Sequence, residues 1–179
     1  MVHQSFGLVS RGSVAQNVIA GALPAVSTLQ ALAGVFPACY RRRACALIAE
    51  VGLEEHHLAR RVSTLSGGQQ QRVGIARAFM LDPDIVLADE PVASLDPHLG
   101  ADILELIARQ AKARNATVLC SLHQLDLAVR FADRIVALNS GRIAFDGQPS
   151  ALNASFVQAI YDRTSPQPRH LVHAACSDE

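Results

Sequence analysis

Two short runs carry side chains suited to chemistry. Leu65-Ser66-Gly67-Gly68-Gln69 sets a hydroxyl and two glycines at the head of a helical stretch. Glycines let backbone N–H groups approach an anion closely, Ser66 adds a donor, and the helix turns its positive end toward the same point. That describes a phosphate cradle without a lysine. Ile85-Val86-Leu87-Ala88-Asp89-Glu90 is an apolar run that ends in two carboxylates. In open α/β sheets, ligands sit at the carboxyl ends of the strands, so such a run delivers its carboxylates to a ligand edge. Asp89 suits Mg²⁺, which takes a few hard oxygen ligands and keeps several waters. The adjacent Glu90 points elsewhere and suits a group that orients or deprotonates an attacking water. Each run also has a plain reading: a helix N-cap with a glycine turn, and a buried strand followed by an acidic turn.

The phosphate loop that normally accompanies such residues, G-x-x-x-x-G-K-[ST], does not occur in the 179 residues. The single lysine, Lys112, follows Ala111 rather than a glycine. His123, taken alone, reads as a satisfied core histidine, and His56, His57 and His98 read as surface residues.

The elements that must position these groups follow from patterning. Met1-Val2-His3 reads as the end of a strand. Ser13 opens a helical stretch through Val14, Val18, Ile19 and Leu23. A second helix covers about residues 41–51, with Gly52 as its stop and the triple Arg41-Arg42-Arg43 as a solvated start. A third covers residues 68–80 and is broken by Asp82-Pro83. Residues 85–88 and 117–122 read as short strands covered on both faces. Asp96 and Pro97 supply an N-cap and first-turn proline for a helix with Leu99, Ile103, Leu106 and Ile107 on one face. A short helix over residues 125–131 precedes a strand at 134–138, the turn Asn139-Ser140-Gly141 and a hairpin partner at 143–145. Strands alternating with helices predict a mainly parallel α/β sheet. From Thr164 onward the composition of Pro, Gln and Ser reads as a frayed tail.

Half the residues are apolar, enough for one medium domain with a real core. Zero formal net charge gives no long-range field to recruit nucleic acid or an anionic membrane. No apolar run nears the roughly 20 residues that span a bilayer, and no signal peptide is evident. The four cysteines show no C-x-x-C pair and read as reduced thiols. His170, His173 and Cys176 lie in the tail and read as an end of the chain, not a metal cluster.

In their order and spacing, these motifs resemble the ATPase subunit of an ABC transporter, over roughly residues 1–160. The resemblance implies an α/β fold, a partial P-loop NTPase domain of the ABC type. Residues 1–80 would form the glutamine loop and helical signature subdomain, 81–147 a partial RecA-like core, and 148–179 a C-terminal helix and tail. In that family the Leu-Ser-Gly-Gly-Gln signature meets ATP bound on the opposite subunit, which gives Ser66, Gly67, Gly68 and Gln69 to the nucleotide. Gln4 matches the loop glutamine that senses Mg²⁺ and the transmembrane partner. Asp89 matches the Mg²⁺ carboxylate, Glu90 the general base, and His123 the switch histidine at the γ-phosphate. Ser94-Leu95-Asp96 matches the loop that crosses the dimer interface, with Asp96 near the nucleotide.

Finer likeness points to importer subunits of the phosphonate-uptake type. It rests on the run from Ala88 to Pro97, on Leu122-His123-Gln124-Leu125-Asp126-Leu127-Ala128, on Ala132-Asp133-Arg134-Ile135, on Phe145-Asp146-Gly147, and on Phe6-Gly7-Leu8-Val9. It implies ATP as substrate with Mg²⁺, a second ATPase subunit, transmembrane permease subunits, and indirectly a periplasmic solute-binding protein. Nucleic acid is not among the implied partners. The location implied is peripheral, on the cytoplasmic face of the inner membrane. DNA-repair relatives are disfavoured, because residues 4–65 leave room only for a compact helical subdomain rather than a long coiled coil. Without a phosphate loop, Met1 reads as an internal methionine of a family sequence truncated before the glutamine loop, and the isolated chain as inactive. The alternatives are a non-catalytic remnant, or the ATPase of an importer for another solute.

Overall fold

The computed structural model describes residues 1–3 and 6–152. Gln4, the tail from Thr164, and His170, His173 and Cys176 lie outside the described residues. The chain divides into two compact units, Met1–Leu127 and Ala128–Glu179.

The first helix of the Met1–Leu127 unit is α1, Val14–Ile19. Ser13 caps α1 reciprocally with Gln16: its hydroxyl accepts the Gln16 N–H at 3.1 Å and its own N–H donates to Gln16 Oε1 at 2.9 Å. Helical spacing continues past Ile19, but Pro24 makes the segment Ala20–Ala25 a 3-10 turn. This turn presses on a later helix so closely that a Cβ at Gly21 would stand 2.4 Å from the Arg77 carbonyl oxygen. Next comes α2, Thr28–Ala33, capped by Ser27 and closed by Gly34 at a φ of 66°. It buries none of its residues.

Helix α3, Ala38–Glu50, starts three residues before the expected position and stops at Gly52, whose φ of 74° only glycine adopts freely. The arginine triple is therefore inside the helix and not all solvated, since Arg43 pairs with Asp82. Helix α4 is Gly67–Ala78, and α5 is Pro97–Arg114, capped by Asp96 Oδ1 on the Leu99 N–H at 3.0 Å. Leu47, Ile48, Val73, Ile75, Phe79, Met80 and Ile103 form the fully buried centre of this unit.

Strand β1, Ile85–Asp89, pairs in parallel with β2, Thr117–Ser121. Val2 bridges the other edge of β1, donating to the Leu87 carbonyl at 2.7 Å and accepting from the Asp89 N–H at 2.9 Å. The two strands were expected to be covered on both faces. Among the described residues one face is open instead: Val86 and Ala88 are buried, whereas Ile85, Leu87 and Leu119 are 63%, 43% and 66% exposed. The side-chain period of two sends alternate apolar residues to a face that no described element covers.

Helix α6, Leu125–Phe131, carries the boundary between the units. In the second unit, β3, Ile135–Asn139, pairs antiparallel with β4, Arg142–Gly147. The turn between them places Ser140 and Gly141 at φ 51° and 75°, the pattern of a type I′ hairpin. Parallel pairing is thus limited to Val2, β1 and β2, because β3 takes the adjacent β4 as partner among the described residues.

Candidate functional site

The carboxyl edge of the β1–β2 pair gathers one group of site residues. The parallel register sets Asp89 opposite Ser121. The Ser121 hydroxyl donates to Asp89 Oδ1 at 2.8 Å and accepts the Glu90 N–H at 3.0 Å. Glu90 has a φ of 44°, a conformation that costs a non-glycine residue on the order of 1–3 kcal/mol and needs support around it. The reversal turns the Glu90 carboxylate to His123, whose Nε2 stands 2.5 Å from Glu90 Oε1. The Glu90 side chain is largely shielded at 25% exposure, while that of His123 is open at 80%. Asp89, Glu90 and His123 therefore form one cluster, with Ser121 as the clasp.

This cluster has a consequence for its neighbour. Burial, and then the Asp89 charge, push the Cys120 thiol from its ordinary 9.0 to about 11. Among the described residues, no three His, Cys, Asp or Glu side chains converge to hold a metal ion by themselves. A cation at Asp89 would take most of its oxygens from phosphate and water, which is the habit of Mg²⁺ rather than of a caged ion.

The start of α4 forms the second group. The Ser66 N–H donates to Gln69 Oε1 at 3.0 Å, and the Ser66 hydroxyl accepts the Gln69 N–H at 3.3 Å. Gly67 is exposed, and an added Cβ there would meet only Leu95 and Phe6, at 3.7 Å and beyond. Gly68 is buried, and its absent Cβ is what admits Leu99, whose Cδ2 would stand 2.6 Å away. The two glycines thus do different work: one leaves backbone open, the other lets α4 meet α5 closely. Leu95 and Leu99 also bring the 94–96 loop beside the signature, with Asp96 engaged as the cap of α5.

Three residues of the site were not read from the sequence. Ser121 is visible only once the strand register is known. Gln71, fully buried, donates from Nε2 to the Pro91 carbonyl at 2.7 Å and so ties α4 to the residue after Glu90. His57, expected at the surface, is 6% exposed in the 3-10 turn Glu55–His57, with Nε2 against Gln69 Nε2 at 3.4 Å. The turn folds it inward beneath the signature, while His56 remains on the surface at 58% side-chain exposure. Gln4 lies outside the described residues, but the segment after it is held by Arg77, which donates to the Gly7 and Phe6 carbonyls at 2.7 and 3.2 Å.

The ABC transporter family matches residues 1–93. The chain is 52% identical over 162 residues to the phosphonates import ATP-binding protein PhnC of Hydrogenovibrio crunogenus, covering 90% of this chain and 60% of that protein. It is 51% identical over 153 residues to the protein of the same name from Hyphomonas neptunium, covering 86% and 59%. The fold is similar to that of the ATP-binding cassette MJ0796, solved as a dimer in a post-hydrolysis state with ADP and Pi. There the TM-score is 0.68 at 32% identity, over 83% of this chain and 61% of that one. The chain thus spans about three-fifths of the length of the curated relatives it matches. Its motifs, its α/β architecture and the family match over more than half its residues agree: the chain belongs to the ABC transporter family.

Proposed function

We propose that the chain is the signature-bearing part of an ATP-hydrolysing subunit of an ABC importer for phosphonate or a related small anion. The observation that carries this reading is the cluster at the carboxyl edge of β1, where Glu90 meets His123 at 2.5 Å beside Asp89. A carboxylate shielded on one side and hydrogen-bonded to an imidazole is suited to take a proton from an attacking water. His123, whose side chain is 80% exposed, would be the switch histidine at the γ-phosphate, as the family resemblance implies. Asp89 would hold Mg²⁺, which neutralises charge on the phosphates when bound. Ser66 and Gly67 would present hydroxyl and backbone donors to ATP held by a second subunit, with Gln69 fixing the helix start. Asp96 would stand at that dimer interface, and Gln4 would report on Mg²⁺ and the membrane partner. In this reading residues 1–80 form the signature subdomain and 81–147 the partial core.

The permease would be the membrane anchor, with the ATPase docked peripherally on its cytoplasmic face and a solute-binding protein acting from the other side. No helix among the described residues is long and apolar enough to cross a membrane. A second reading, a chain that binds a partner without turning over ATP, is favoured by one observation. None of the 179 residues forms a G-x-x-x-x-G-K-[ST] loop, since the single lysine follows Ala111. Both readings place the signature against ATP held on a second subunit. The test is sedimentation of this chain with a full-length, hydrolysis-deficient PhnC relative. ATP-dependent association is expected, abolished by Ser66→Arg and unaffected by Lys112→Ala, which alters an exposed residue of α5. Association that ignores ATP, or that survives Ser66→Arg, would refute the reading.

A further inference from the structure

Phe6 lies along the signature helix in a conformation that a bulky residue avoids. Its φ is 60° and that of Gly7 is 54°, so two successive residues take the left-handed region, the first of them with a full side chain. Such an outlier persists only where its surroundings fix it. Three bonds do so here. The Phe6 N–H donates to the His3 carbonyl at 3.1 Å. Arg77, near the C-terminal end of α4, donates from Nη1 to the Gly7 carbonyl at 2.7 Å and from Nη2 to the Phe6 carbonyl at 3.2 Å. Its planar fork grips both carbonyls at once, which an ammonium does not reproduce. At the other end of α4, Phe6 Cζ lies 3.8 Å from where a Cβ at Gly67 would stand, and the Phe6 carbonyl oxygen lies 3.6 Å from the corresponding point at Gly74. Gly67 and Gly74 are about two turns apart on one face of the helix. Phe6 therefore spans that face, with its backbone at Gly74 and Arg77 and its ring at Gly67.

We propose that Arg77 is a positioning residue for the signature and acts through Phe6: it clamps the Phe6–Gly7 turn so that the ring stands beside the exposed Gly67 backbone. The only other atom near that point is Leu95 Cδ2, at 3.7 Å. With the clamp closed, the turn and the first residues of α4 keep one fixed relation, and an apolar ring shields one side of the Gly67 backbone, where a lower local dielectric strengthens a hydrogen bond to phosphate. The proposal rests on the reading that this backbone faces ATP on a second subunit. The clamp itself is tested without that reading.

In the full 179-residue chain, the Phe6 ring protons should give nuclear Overhauser contacts to the Gly67 Cα protons, a measurement that needs no variant. Arg77→Lys keeps the charge and loses the fork. It should move the Gly67 resonances although Arg77 is ten residues away in the sequence. Phe6→Gly suits the left-handed backbone and removes the ring. It should move them too, and in that background Arg77→Lys should move them no further. Arg72→Lys is the control: Arg72 donates to the Val51 carbonyl at 2.6 Å, and losing that bond should leave the Gly67 resonances in place. In ATP-dependent association with the hydrolysis-deficient full-length relative, Arg77→Lys and Phe6→Gly should each weaken the complex about fivefold, one hydrogen bond's worth, and together no more than either alone. Absence of the Phe6–Gly67 contact in the wild-type chain, Gly67 resonances unmoved by Arg77→Lys, equal movement in Arg72→Lys, or shifts that add in the double variant would each overturn the proposal. If the wild-type chain does not associate at all, the functional reading falls, while the contact and the paired variants still decide whether the clamp exists.

Discussion

Ser121 makes two contacts with one oxygen, donating to Asp89 and accepting from Glu90, and through them it supports a backbone conformation that a glutamate does not adopt freely. The same negative edge acts on Cys120. With its thiol raised to about 11, about one molecule in a thousand carries the thiolate at pH ~8. Alkylation near that pH, followed by peptide mass spectrometry, should modify the exposed Cys39 and Cys45 well before Cys120. Asp89→Asn should speed Cys120 alone, by removing the second cause of the shift. The sign of the linked stability follows. An unfolded thiol ionises near 9.0 while the folded one holds its proton to about 11, so this group makes the fold less stable as pH rises through that window. Asp89 and Glu90 were legible as the carboxylate end of an apolar run, whereas His123, which alone read as a core histidine, joined them only through the family resemblance and the order of the motifs. Ser121 was not legible, since only the register that sets it opposite Asp89 gives it a role. His57 was misread because a histidine in a run of two glutamates and two histidines looks solvated, and only the 3-10 turn decides which of the pair turns inward.

At the scale of elements, helices with chemical punctuation were the readable ones. Asp96-Pro97 set the start of α5, and α6 occupies residues 125–131 as the pattern required. Helix α2 was missed although Ser27 and Gln30 form a capping box, because a six-residue helix that buries nothing has no apolar stripe to detect. The strands were found and their faces misjudged. A continuous apolar run fits a strand covered twice, but here Ile85, Leu87 and Leu119 share one open face. That face should bind a hydrophobic dye and promote self-association of the isolated chain. Leu87→Lys with Leu119→Lys should remove both effects at little cost in melting temperature, whereas Val86→Ala, at 1% exposure, should lower it. Dye fluorescence and light scattering, read beside thermal melts, would check this. Unchanged dye binding in the double lysine variant would mean that the open face is not the one exposed in solution.

For the molecule as a whole, the parts are unevenly distributed. The Met1–Leu127 unit holds the signature, the Asp89–Glu90–His123 cluster and the links between them, Gln71 to Pro91 and Gly68 to Leu99. The residues that would cradle the β- and γ-phosphates are not among the 179. The central claim is that this chain completes an ATP site whose phosphate loop belongs to another subunit. Phosphate release tests it most directly, using a full-length PhnC relative whose own signature serine is replaced by arginine. Neither this chain nor that variant should release phosphate alone. Their mixture should, at one site per pair, and Ser66→Arg in this chain should silence it. A mixture that stays silent, or steady release by this chain alone that Glu90→Gln abolishes, would contradict the account.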